Sequence, residues 1–281
     1  MQTLRPGQDF PHTPPMTKPD VITPTGVLPG RMTYQGPFEL LCPQGDPRLL
    51  LVCDHASNAV PPPYGSLGLP ETSFTRHIAY DIGARDVVER ISERLNAPAI
   101  LAGFSRLLID PNRGEDDPTL VMRLSDGEII PGNASAESAE IEKRITDFHR
   151  PYHRAIDDAI ERALGAEMSP VLISVHSFTP AWRGRERPWH CGILWWGDKP
   201  TADFCLSYLG RESGLVVGDN EPYSGELEGD SMDRHGTRRG ISHALIEIRQ
   251  DLIASREGCA EWAERLAPML MQLAERPKRV T

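Results

Sequence analysis

A layered α/β fold, with a mixed, mostly parallel sheet flanked by helices in three layers, is what this chain of 281 residues predicts. Three observations carry that expectation. Short apolar runs rich in branched residues alternate with longer stretches, the pattern of buried strands between covering helices. The longer stretches repeat their apolar residues at helical spacing. Charged residues at 25 % and apolar residues at 39 % fit a globular chain large enough to bury a full core.

Taken in order, residues 1–37 hold eight prolines and little apolar periodicity, which predicts a Pro-rich extended arm. A segment that packs on a neighbouring subunit is the alternative, and a homo-oligomer stays open. No second break in composition follows, so 38–281 reads as a single catalytic-type domain. Strands are expected at Leu49–Cys53, Ala99–Ala102, Arg106–Ile109, Val171–Val175, Cys191–Trp196, Leu215–Val217 and Ala244–Ile248. The spacing of Ile78, Ile82, Ala84, Val88, Ile91 and Leu95 predicts a helix over 78–95. A second helix is expected over 139–164, with shorter ones at 201–212 and 259–274. Two long loops, 111–136 and 219–240, are rich in Gly, Pro, Asp and Asn, and long loops in a compact domain commonly carry function.

Composition excludes several classes. Thirty basic against forty acidic side chains leave a net charge of −10, which argues against nucleic acid as a partner. The apolar run Leu49–Cys53 is far too short to span a bilayer, and the amino end has no apolar signal core, so neither membrane nor export is expected. Five cysteines without a C-x-x-C pair predict no disulfide framework and a reducing, cytoplasmic setting.

In open α/β sheets, sites gather at the carboxyl ends of strands. After Leu49–Cys53 comes Asp54-His55-Ala56-Ser57-Asn58, and after Arg106–Ile109 comes Asp110-Pro111-Asn112-Arg113. The run Val171–Val175 ends at His176-Ser177, and the last run holds Glu247 and Arg249. Two histidines and a carboxylate with an open fourth position are the ligand set of a catalytic zinc. A further glutamate beside it can take a proton from water. An arginine matches a substrate carboxylate through a planar fork. Burying an unpaired carboxylate costs several kcal/mol, so Glu247 needs either a site or a partner. A structural ion pair with Arg249, two residues along the strand, is the competing account.

The segments Cys53-Asp54-His55-Ala56-Ser57-Asn58, Arg76-His77-Ile78-Ala79-Tyr80-Asp81, Asp110-Pro111-Asn112-Arg113, Pro151-Tyr152-His153, Ser174-Val175-His176-Ser177, Asn220-Glu221-Pro222-Tyr223 and Glu247-Ile248-Arg249-Gln250-Asp251-Leu252 together resemble the N-formylglutamate amidohydrolase family over roughly residues 48–270. The histidine, glutamate and Asn-Arg elements also resemble those of zinc carboxypeptidases. The resemblance implies a zinc-peptidase or phosphorylase/hydrolase-like fold and hydrolysis of the N-formyl, or other N-acyl, amide of an acidic amino acid, N-formylglutamate first. It implies one Zn²⁺, or another divalent metal, on His55 and His176, with Glu247 as general base. It also implies that Asn112 and Arg113 hold one substrate carboxylate. Arg106, Arg183 and Arg249 are the further substrate-binding candidates, the first two for the second carboxylate. One departure stands out. Carboxypeptidases draw two ligands from H-x-x-E, and Asn58 occupies the acid's place here. Asp81, expected in the first turn of the 78–95 helix, is the replacement, with Asp54 the runner-up. Competing readings are a carboxypeptidase-like or muramoyl-amidase-like hydrolase, and a non-catalytic binder on the same fold.

Other residues invite roles. His77 is placed to orient Asp81. His149 and His153 stand four apart, a spacing that suits a separate metal site, or His153 could reach the pocket. One of Trp195 and Trp196 could wall the pocket, His235 could close over the substrate, and Glu226, Glu228, Asp230 and Asp233 form an acidic loop.

Overall fold

The computed structural model describes residues 30–276. Most of the expected arm, residues 1–29, therefore lies outside the described residues. Its last part packs on the body: Arg31 pairs with Glu71 at 2.7 Å, and the Met32 N–H donates to Asn58 Oδ1 at 2.7 Å. Asn58 also donates to the Phe74 carbonyl, so this residue ties segments together rather than facing a metal.

Seven strands form the main sheet: β1 Phe38–Leu41, β2 Leu49–Cys53, β3 Ala99–Ala102, β4 Val171–Phe178, β5 Cys191–Leu194, β6 Val217–Asp219 and β7 Ser242–Arg249. Their spatial order is β1-β3-β2-β4-β7-β5-β6. The pairs β2–β3, β2–β4, β4–β7 and β5–β6 are parallel, and β1–β3 and β5–β7 antiparallel. The central strand β4 is buried along its whole length, as the apolar run Val-Leu-Ile-Ser-Val requires.

Successive strand residues point to opposite faces, and each face carries its own core. Leu49, Leu51 and Cys53 pack with helices α1 (Ala84–Leu95), α3 (Lys199–Leu209) and α4 (Arg256–Ala274). Leu50 and Val52 pack with Tyr152, Ile156 and Ile160 of α2 (Arg150–Gly165) on the other face. The result is the three-layer α/β architecture. Among the described residues, no helix is long and apolar enough to cross a membrane.

Several expected elements differ; the strand expected at Leu215–Val217 lies two residues later, at Val217–Asp219. Arg106–Ile109 is a turn, not a strand. Its apolar side chains are buried, but its carbonyls are served by side chains: Asn133 donates to Leu107 O and Arg144 to Leu108 O. The helix expected from residue 78 begins at Ala84, because Gly83 holds φ +80° and a Cβ there would lie 2.1 Å from the Ile253 carbonyl oxygen. Asp81 therefore precedes the helix instead of standing in its first turn. The strand expected over Cys191–Trp196 stops at Leu194. β1 was not foreseen: it is a half-exposed edge strand with no fully apolar run.

Candidate active site

The parallel strands β2, β3, β4 and β7 end at one edge of the sheet, and the segments leaving them surround a cavity of about 710 Å³. His55 follows β2. His176 lies near the end of β4, and Glu247 is its register partner on β7. Asp81 reaches the same point from the turn before α1, where its N–H donates to the His55 carbonyl at 3.0 Å.

The geometry is that of a closed set of donors. His55 Nδ1 lies 3.3 Å and His176 Nδ1 2.8 Å from Asp81 Oδ2. One ligand atom from each of the three residues falls within 4.8 Å of the others, and all three residues are buried. The opposite ring nitrogens are held from behind. His55 Nε2 is 2.7 Å from Asp110 Oδ1, and His176 Nε2 is 3.0 Å from Asp54 Oδ2. An ionised carboxylate only accepts, so each Nε2 carries its proton, and a neutral ring then turns its Nδ1 lone pair toward Asp81. This carboxylate–histidine pairing behind a ligand atom is how metal sites fix ring orientation. Two lone pairs and a carboxylate oxygen at these distances repel one another unless a proton or a metal cation lies between them; without metal a proton on His176 fills that place, and the same three donors suit a divalent metal of the zinc class.

The electrostatics follow from burial and these contacts. Burial alone would raise the Asp81 carboxyl, but His55 and the hydrogen bonds from both histidines hold it well below the carboxylate range. Burial would lower His176, and its two carboxylate partners, Asp54 and Asp81, instead hold it well above the usual histidine value. Asp110 is likewise depressed against its burial, by Arg106 and His55. Asp54 stays ionised while it accepts from Tyr152, Ser174, Ser231 and His176. Asp54 thus lies behind His176 and does not join the three facing donors. Burial pushes His77 down to about 4, so this ring is neutral near pH 7, with Nδ1 3.4 Å from Asp81 Oδ1.

Glu247 is 6 % exposed and lines the cavity. Its Oε2 is buried and has no hydrogen-bond partner among the described residues. Burial pushes its carboxyl up to about 7. The ion pair with Arg249 is absent: Arg249 bonds Asp251 at 2.8 Å and lies outside the cavity lining. Its position at the last residue of the strand, where the chain turns into a short 3₁₀ segment, carries its side chain away from Glu247. Arg183 is also outside the lining, exposed at the tip of the hairpin formed by Ala181–Trp182 and Arg185–Glu186. Arg106 does line the cavity, but it is engaged, 3.0 Å from Asp110 and 3.5 Å from Asp81. Asn112 and Arg113 line it too. Asn112 Oδ1 accepts from the Ser231 N–H, which leaves its NH₂ group for the cavity, and Arg113 Nη1 donates to the Asn112 carbonyl.

Sequence reasoning missed Asp110 as the partner of His55, although it stands two residues before Asn112 in the same segment. It also missed Trp182 and Tyr223 as walls; neither Trp195 nor Trp196 lines the cavity. His235, expected over the substrate, is fully buried away from it, and His153 bonds a backbone carbonyl instead of reaching in. Of the acidic loop, Glu226 and Asp230 line the cavity, while Asp233 accepts from the Gly229 N–H.

Comparison with known proteins places the chain in a family. A gene product of Agrobacterium tumefaciens, with a solved structure, is 32 % identical over 85 % of this chain and 95 % of its own, with a TM-score of 0.81. The N-formylglutamate amidohydrolase of Ralstonia eutropha is 23 % identical, covers 86 % of this chain and 98 % of its own, and has a TM-score of 0.68, a likeness of fold. No curated protein matches. The model of the N-formylglutamate amidohydrolase family matches residues 47–254, the span that supplies every strand exit around the cavity, and the chain belongs to that family.

Proposed function

We propose that the protein is a metal-dependent amidohydrolase that cleaves the N-formyl, or another N-acyl, amide of an acidic amino acid, N-formylglutamate first. Family membership supports the reaction class. The observation that carries the finer reading is the convergence of His55 Nδ1, Asp81 Oδ2 and His176 Nδ1 beside a buried, unpartnered Glu247 oxygen. A divalent cation held by those three donors, zinc by their chemistry, would polarise the acyl oxygen and make a water acidic enough to attack near neutral pH.

The chain's own residues do the rest. Glu247 accepts a proton as the water oxygen bonds to the acyl carbon. It returns that proton to the amide nitrogen as the C–N bond breaks, giving formate and the free amino acid. Burial, which raises this carboxyl in the metal-free protein, keeps it basic enough to take the proton and pass it on. Asp110 and Asp54 keep the two imidazoles oriented throughout. The Asn112 amide and the Arg113 guanidinium take the substrate's α-carboxylate, and Arg106 stabilises Asp81 and Asp110 more than it serves a second carboxylate. The unpaired cysteines, four of the five buried, suit a reducing cytoplasm.

The test joins metal analysis to a substrate screen. Protein purified without added metal should carry about one equivalent of zinc per chain. It should release acid from N-formylglutamate faster than from the acetyl or carbamoyl derivatives of glutamate and aspartate. Chelation should abolish turnover and zinc restore it. A metal-free protein that turns over none of these compounds, with or without added zinc, favours the non-catalytic binder.

A further inference from the structure

Beneath the Asn112–Arg113 segment lies a second set of buried histidines that the chemistry above does not use. His149, His153 and His235 are at most 1 % exposed, and none lines the cavity. His149 Nε2 lies 2.9 Å from the Arg113 carbonyl oxygen, and His153 Nε2 lies 2.9 Å from that of Pro111. A carbonyl oxygen only accepts, so both nitrogens carry protons and donate. The 3.2 Å between these two Nε2 atoms is then proximity between two donors, not a bond. His153 Nδ1 and His235 Nε2 stand 2.8 Å apart. The two rings stack at 5.1 Å. His235 Nδ1 in turn faces Asp157 Oδ1 at 3.0 Å, and the same oxygen accepts from Arg239.

The helix supplies both donors at the required spacing. The chain from Ser138 to Gly165 widens into a π-turn over Ile145–His149, where the Arg150 N–H reaches back to Ile145 O. Pro151 follows and has no N–H to give the Asp147 carbonyl, so the ladder is already interrupted there. The turn ends on His149, and His153 follows one helical turn later.

From its other side the same segment is fixed by the site itself. Asp110 Oδ1 accepts from His55 and from the Asn112 N–H, and Asn112 Oδ1 accepts from Ser231. The carbonyls of Pro111 and Arg113 are the groups this side leaves over, and the histidines cover both.

We propose that His149, His153 and His235 are positioning residues for the hydrolysis: they clamp the Pro111 and Arg113 carbonyls so that Asn112 and Arg113 present their side chains to the substrate carboxylate at a fixed distance from the metal donors. The inference rests on the reading that Asn112 and Arg113 bind that carboxylate. None of the three histidines touches the reacting atoms. Loosening the clamp leaves water activation by Glu247 intact and weakens the grip on substrate.

The experiment compares His153→Phe, which keeps a ring and removes the donor, with His153→Gln, whose amide N–H reaches about as far as Nε2. Each is measured for zinc content, for kcat and KM with N-formyl-L-glutamate, and for deuterium uptake of the peptide spanning 107–122. The Phe variant should keep its zinc and a kcat near wild type, raise KM at least about tenfold, the scale of an unpaired buried carbonyl, and speed exchange in that peptide. The Gln variant should restore both KM and protection. If His153→Phe does not fold, His149→Phe against His149→Gln reads the same clamp at the Arg113 carbonyl. Unchanged exchange in the Phe variant overturns the clamp. Faster exchange with unchanged KM, where Arg113→Lys does raise KM, overturns its role in binding while leaving the carboxylate reading intact. Faster exchange with KM unmoved by either His153→Phe or Arg113→Lys overturns the carboxylate reading and the inference with it.

Discussion

Glu247 is a carboxylate in an apolar strand with one oxygen unpartnered, an arrangement that costs several kcal/mol unless a ligand or reaction uses it. Glu247→Gln keeps size and removes the ability to accept a proton. It should fold, bind zinc and bind substrate, and lose kcat by at least about 10²-fold. Stopped assays on zinc-loaded variant check this, and wild-type turnover contradicts it. Asp230 offers a pH test at the same scale. Burial pushes its carboxyl from an ordinary 3.8 up to about 7, with Asp54 and Asp233 adding to the rise, although the Asp233 N–H bond opposes it. Between about pH 4 and pH 7 the unfolded chain loses this proton while the folded chain keeps it. Asp230 therefore costs nothing below that window, and its cost is complete above it. Asp230→Asn keeps the oxygen that accepts from the Asp233 N–H and removes the charge. In metal-free protein its stability advantage should vanish near pH 4 and grow to on the order of 4 kcal/mol by pH 8. Urea unfolding at three pH values measures it, and an advantage that is flat or largest in acid contradicts the assignment.

At the scale of elements, the turn Asp81-Ile82-Gly83 carries the acidic donor into the site. Gly83 at φ +80° is what allows the chain to enter α1 against the Ile253 carbonyl. Gly83→Ala should lower stability by at least about 2 kcal/mol, or roughly 4–8 °C in Tm, and weaken zinc binding, because the displaced turn holds Asp81. Thermal melts with and without zinc check both; an unchanged Tm refutes the account of the turn. The same turn shows why a helix over 78–95 was misread at its start: Ile78 and Ile82 keep the apolar spacing, and only the backbone conformation of Gly83 breaks it. Arg106–Ile109 misled in the opposite way. A buried apolar run reads as a strand whether its carbonyls are met by a neighbouring strand or, as here, by the side chains of Asn133 and Arg144. The inner strands β2, β3, β4 and β7 were legible because burial on both faces forces uninterrupted apolar runs, whereas the edge strand β1 has no such constraint.

At the scale of the molecule, parallel strands bring their carboxyl ends to one edge, and this joins residues that are far apart in sequence. His55 and His176 meet at Asp81 with 120 residues between the two histidines, and Glu247 arrives through register with His176. That much of the site was legible: a polar residue terminating an apolar run marks a strand end, and the strand ends share one edge. The partners behind the histidines were not, because Asp54, Asp110 and Ser231 act through side-chain directions that no spacing reveals. Arg183 and Arg249 lie outside the cavity lining for the same reason, since a cationic side chain near a strand end can turn to solvent or to a neighbouring acid. The central claim is that His55, Asp81 and His176 hold one metal ion. Anomalous diffraction at the zinc edge, from crystals of protein loaded with one equivalent of zinc, tests it most directly. One peak is expected, about 2.0–2.2 Å from His55 Nδ1, His176 Nδ1 and an Asp81 oxygen. A peak on other residues, or none, contradicts the claim.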